Sequence, residues 1–147
     1  MQDERLRASL GNALVCLFRL VNRVHNRALA DHGISAEQAH ILSVLWLAGP
    51  MTMGSLQRHV ALSSGTLTGA IDRMEAQDLV RRVPSREDRR AFVLEPRVTG
   101  KSRARIEGAI EATEAGIWGG LSAAERVELA RLLHKAITHL EPDAAAR

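Results

Sequence analysis

No tyrosine occurs in this 147-residue chain, and two Trp and two Phe are its only other large aromatic side chains. Binding RNA or single strands by base stacking needs aromatic platforms, so that class is disfavoured. There is one cysteine, Cys16, which excludes an internal disulfide and a cysteine-based zinc site. The six histidines fall at no spacing that suits zinc. No stretch approaches the ~18 apolar residues of a membrane span. The start, M-Q-D-E-R-L-R, has mixed charge and no apolar run of signal-peptide type. A cytoplasmic protein with no membrane partner is expected.

Catalytic signatures are absent too. A nucleophile elbow, a phosphate loop, a dinucleotide fingerprint and a metal-binding pair are all missing, so no enzyme, cofactor or metal is expected. Ser63-Ser64-Gly65 looks like a nucleophile setting, but helix capping explains it without a catalytic partner.

What is present is a localised positive charge. The net charge is only +3. From Arg81 to Arg105 there are eight Arg and one Lys against Glu87, Asp88 and Glu95, which is +6 and leaves −3 for the remainder. A basic segment of this kind is either the footprint of a nucleic-acid contact or a solvated loop.

The apolar pattern predicts mainly helix. Leu10, Leu14, Leu17, Val21, Val24 and Ala28 step by three and four residues along a helix over 4–30. Termination falls near His32-Gly33. Ser35 and Gln38 form a capping box for a second helix, hydrophobic almost all round and therefore buried. Gly49-Pro50 stops it. A short helix follows over about 53–59, capped by Thr52. Ser63 caps the next, about 64–77, whose buried face is Leu67, Ala70, Ile71 and Met74. Two strands, Leu79 to Val83 and Phe92 to Leu94, flank an arginine-rich tip over 85–90. A long helix from about 98 to 119 and a last one capped by Ser122 and Glu125 complete the chain.

The order is helix, helix, helix, helix, hairpin, helix, helix. The fold expected is mainly α: one domain over 1–147, with a winged helix-turn-helix at 35–97. Long terminal helices at 4–30 and 98–141 serve dimerisation. The terminal helices carry apolar seams that one chain cannot easily cover, so a symmetric homodimer with interdigitating helices is the economical arrangement.

The pattern resembles the MarR family of bacterial transcription regulators over nearly the whole chain. The resemblance rests on S-x-x-T-x-T-x-x-x-D-R-M-E (Ser63, Thr66, Thr68, Asp72, Arg73, Met74, Glu75), the following L-V-R-R, the D-x-R at Asp88 and Arg90, and Gly100. Pro96-Arg97 departs from the Leu-Thr usual there, which leaves Thr99 to cap the next helix and puts the hairpin's exit geometry in question.

The resemblance implies a repressor that binds a pseudo-palindromic duplex through two half-sites about one helical turn apart. Ser64, Gly65, Thr66, Thr68 and Gly69 would face the major groove, where small residues allow close approach; Ser63 is mostly cap, and Thr66 either caps or reads. Arg73 would contact phosphate. Asp72 would be repelled by phosphate and instead orients a nearby arginine. At the wing, Arg90 would enter the minor groove with its guanidinium held by Asp88. Arg86 and Arg89 are either phosphate contacts or solvated.

Relatives commonly release DNA when a small phenolic or aromatic acid binds between the dimer helices and the winged helix. Arg19, His25, His40 and Trp46 are the pocket candidates, with core packing the alternative for His40 and Trp46 and plain solvation for Arg19 and His25. Cys16 lies near the reactive cysteine of the family's hydroperoxide sensors. Those sensors use tyrosines that this chain lacks, and apolar sequence neighbours tend to raise a thiol pKa. Cys16 therefore reads as packing, with peroxide sensing as the alternative. A winged-helix module that binds protein, or plays an architectural role, is the remaining alternative.

Overall fold

The computed structural model describes Arg5, residues 9–88 and residues 90–140. Six α-helices run through these residues: α1 Leu10–Leu29, α2 Ala36–Ala48, α3 Met53–Val60, α4 Ser64–Ala76, α5 Gly100–Ile117 and α6 Ala123–Leu140. Three short strands, β1 Met51–Thr52, β2 Val80–Pro84 and β3 Phe92–Pro96, form an antiparallel sheet in the order β1-β3-β2. The mainly helical winged-helix expectation holds.

Local chemistry sets most boundaries. Ser9 caps α1 by accepting from the Asn12 N–H at 3.3 Å, so α1 opens at Leu10, while the start expected at residue 4 lies outside the described residues. A serine hydroxyl that satisfies an orphan N–H ends a helix more readily than it continues one. A 3-10 turn over Ala30–His32 follows α1 and closes on Gly33 at φ 69°, a left-handed angle that suits glycine. The capping box of α2 is complete: Ser35 Oγ accepts from the Gln38 N–H, and Gln38 Oε1 accepts from the Ser35 N–H. Asn26 reaches from α1 to take the Ala36 N–H at 2.7 Å. Thr52 and Ser63 cap α3 and α4 as expected.

The strand β1 carries no sequence signal of its own. Two residues after Gly49-Pro50 pair with Leu94 and Val93 only because β3 lies alongside. The hairpin register is Val80↔Pro96 through Pro84↔Phe92. Arg97 donates its N–H to Leu79 O at 2.8 Å. Pro96 therefore faces the other side of the strand, past the end of β1, where a missing N–H costs nothing. That is why the Pro96-Arg97 departure leaves the hairpin intact. Beyond it, Thr99 O accepts from the Arg103 N–H at 3.4 Å, and Gly100 opens α5 at φ 56°.

The chain divides after Thr113 into two compact units. In the first, the core gathers Leu29, Ile34, Ala39, Ile41, Leu42, Leu45, Leu56, Leu67, Ala70, Ile71, Met74, Val80, Leu94 and Ile106. In the second, Glu125 and Ser122 form the expected capping box for α6. This helix has no buried residue, so it is not held by a core of its own. On α1 only Leu29 is buried, while Leu10 and Phe18 are 88% and 64% exposed.

The turn between α3 and α4 begins at Ala61, a residue with a side chain at φ 52°. Left-handed backbone costs an L-residue with a Cβ about 1–2 kcal/mol, part of which glycine returns as lost chain entropy. Ala61→Gly should raise the free energy of unfolding by about 0.5–1 kcal/mol in a urea titration; destabilisation would show that Ala61 is not strained.

Candidate nucleic-acid interface

One face of α4 is sealed. Leu67, Ala70, Ile71 and Met74 are each at most 1% exposed. Their spacing leaves Ser64, Gly65, Thr66, Thr68, Asp72 and Arg73 on the exposed side, with Gly69 half-buried. The first turn of this helix is thus an exposed surface of small residues. A Cβ placed on Gly65 would meet nothing within 4 Å, so nothing in the chain itself crowds this surface.

The hydroxyls are not equivalent. Ser63 Oγ accepts from the Thr66 N–H at 3.3 Å and shares a 2.7 Å hydrogen bond with Thr66 Oγ1. Both belong to the cap. Thr68 Oγ1 donates to Ser64 O at 2.8 Å, one turn back. Arg73 lies back along the helix, its Nη1 3.4 Å from where a Gly69 Cβ would stand and its Nη2 3.9 Å from Glu37.

The lower half of α4 is tied to the hairpin by one arginine. Arg82, on β2, donates from Nη2 to Asp72 Oδ1 at 2.7 Å and from Nη1 to Glu75 Oε2. Its own backbone N–H also donates to Glu75 Oε1 at 3.0 Å. The hydrogen bond to Asp72, followed by the charges of both carboxylates, raises the Arg82 pKa above its ordinary value against partial burial. Asp72 thus orients an arginine, as its sequence position suggested, and Arg82 is the one. This residue escaped the sequence reading, although an acidic pair three apart on a helix followed by R-R is a usable signal. At the far end of α4, Gln77 accepts from Gln38 Nε2 at 2.7 Å, which joins it to the start of α2.

The wing tip is built by two short side chains. Ser85 Oγ accepts from the N–H groups of Glu87 and Asp88, at 3.2 and 3.3 Å. Asp88 Oδ1 accepts from the backbone N–H of Arg90 at 2.9 Å. The expected contact of Asp88 with the Arg90 guanidinium is therefore replaced by one to its main chain: an aspartate two residues back closes an Asx turn more readily than it reaches a long side chain. Arg86 and Arg90 are exposed, with no ion pair among the described residues. Arg89 lies outside the described residues.

Not all the basic charge is available. Arg81 pairs with Glu95 across the hairpin, Arg97 with Asp78, and Arg103 with Glu107. With Arg82, four arginines between 81 and 105 are engaged among the described residues.

The pocket candidates do not converge by sequence alone. Trp46 packs as expected, its indole N–H donating to Val98 O at 3.1 Å and its ring lying 5.1 Å beneath the Arg103 guanidinium. His40, expected in the core, keeps an exposed face, because its helix turns only Ala39, Ile41, Leu42 and Leu45 fully inward. Desolvation by the atoms packed beneath it still lowers its pKa. Arg19 is exposed and His25 half-buried on α1. Cys16, read as packing, is exposed in the single chain, with its thiol 3.9 Å from Asn12 Oδ1; Val15 and Phe18 are exposed as well, while Leu17 is half-buried.

A model of the MarR family matches residues 34–92. The HTH-type transcriptional regulator MgrA of Staphylococcus aureus is 32% identical over 136 residues, which cover 91% of this chain and 88% of that protein. Among solved structures, BpsR of Bordetella bronchiseptica, described with regulation of its DNA binding by 6-hydroxynicotinic acid, superposes with a TM-score of 0.75. It is 25% identical, over 88% of this chain and 93% of its own. A MarR variant of E. coli in complex with operator DNA superposes with a TM-score of 0.74 at 24% identity, over 86% and 92% of the two chains. That likeness is one of fold.

Replacing Arg82 by Met leaves Asp72 and Glu75 facing each other without their shared cation. The site is partly open to water, so the expected loss is about 1 kcal/mol in urea unfolding. The Arg82→Met and Asp72→Asn changes should be non-additive in a double-mutant cycle; strict additivity would show that the pair does not couple.

Proposed function

The chain belongs to the MarR family, and from that membership we propose that it is a sequence-specific transcription regulator. It binds double-stranded DNA as a homodimer and represses from a pseudo-palindromic operator until a small ligand releases it. The observation that carries this reading is the pairing, in one compact unit, of an exposed polar helix start with a wing tip where Arg86 and Arg90 are exposed and make no ion pair among the described residues. The first suits base edges in a major groove and the second suits phosphates or a narrow minor groove.

In this reading Ser64, Gly65, Thr66, Thr68 and Gly69 meet the major groove, Arg73 and Arg86 meet phosphate together with Arg89, and Arg90 enters the minor groove. Asp88 holds the Arg90 main chain, and through it the direction of the side chain. The operator complex of the E. coli relative supports this use of the fold. The exposed apolar residues of α1, and separately Val127, Leu132, Leu133, Ile137 and Leu140 of α6, support a second copy as the partner that covers them. BpsR and its hydroxynicotinic acid support an aromatic acid as effector, with Arg19 and His25 as candidate contacts. The protein acts in the cytoplasm and carries out no catalysis of its own.

The test is a fluorescence-anisotropy titration against the duplex upstream of its own gene. With about six phosphate contacts per dimer, affinity should fall by ~10³ between 50 and 200 mM salt. Arg90→Ala should weaken binding by about tenfold or more while the helical content and dimer size stay unchanged. Salt-independent binding would remove the duplex reading, and unaltered affinity in Arg90→Ala would remove the wing assignment.

A further inference from the structure

A threonine hydroxyl has one proton, and in Thr68 that proton is spent. Thr68 Oγ1 donates to the Ser64 carbonyl at 2.8 Å, and a carbonyl can only accept. Yet Thr68 is exposed on the second turn of α4, beside Gly69 and on the polar side of the helix. What it can offer an outside partner is its methyl group and the remaining lone pairs of its oxygen. Ser64 differs: its hydroxyl has no partner among the described residues. Thr66 differs again, since its hydroxyl is bound into the Ser63 cap.

Base edges in the major groove sort by this distinction. Guanine presents two acceptors there and wants a donor, which Thr68 lacks unless its internal hydrogen bond breaks. Thymine presents a C5 methyl, which an apolar methyl can cover without any proton. On the reading that α4 enters the major groove, we propose that Thr68 is a specificity-determining residue that reads the thymine methyl by apolar contact and not by hydrogen bonding. Its β-branched form suits the task, because a side chain fixed at χ1 by the bond to Ser64 O holds the methyl in one place. A 5-methylcytosine at the same position would present the same group.

The experiment uses the full chain. A duplex is first enriched from a random-sequence library, and each thymine in it is then replaced by deoxyuracil, which lacks only the methyl. Loss of one buried methyl corresponds to about fourfold in affinity per half-site, and about sixteenfold when both half-sites are changed. The expected result is such a loss at one symmetric pair of positions. It should vanish in Thr68→Ser, which keeps the hydroxyl, and persist in Thr68→Val, which keeps the methyl. The opposite pattern, discrimination kept by Thr68→Ser and lost by Thr68→Val, overturns the inference. So does an enriched duplex that shows no uracil effect, and in both cases DNA reading by α4 stands. Failure to enrich any duplex defeats the sequence-specific reading itself, and this inference with it.

Discussion

One-sided burial of α4 is the constraint from which the rest of the candidate interface follows. Leu67, Ala70, Ile71 and Met74 are sealed in the core. Burying a large apolar side chain is worth about 1.5–3 kcal/mol, more than any single surface ion pair near it. The helix therefore cannot rotate about its axis without exposing this stripe. Every polar group on its other side, from Ser64 to Arg73, is held in a fixed direction as a consequence. The hydroxyls need no separate scaffold, because the core supplies one.

Rotation is only one of the freedoms that matter. The wing must also stand at a fixed place relative to α4, and here the weaker polar contacts decide. Arg82 spans the gap with both its guanidinium and its backbone N–H, to Asp72 and Glu75. The tip beyond is organised by Ser85 and Asp88, which satisfy backbone donors that a hairpin loop would otherwise leave to water. The energies are modest, but they select among arrangements that the core alone would tolerate.

Much of this is legible in the sequence. Helix starts at Ser35, Thr52, Ser63 and Ser122 are local events, set by a hydroxyl and the N–H three residues on, so the chain announces them. The buried stripe of α4 is readable by its period. Other features are not local and were missed or misplaced. The strand β1 exists because β3 is beside it. His40 shows an exposed face because an all-apolar helix still turns only one side to the core.

Charge shows the division most clearly. The sequence by itself determined that eight arginines would crowd between 81 and 105, that a helix with a polar start would precede them, and that the fold would be a winged helix. Tertiary structure alone decided which arginines remain available. Arg81, Arg82 and Arg97 are matched to carboxylates fourteen, ten and nineteen residues away. Those distances close only when the hairpin register and the placement of α4 are set. Composition counts charges, but a cation becomes a contact for DNA or a brace for the fold according to what the folded chain brings within 3 Å of it.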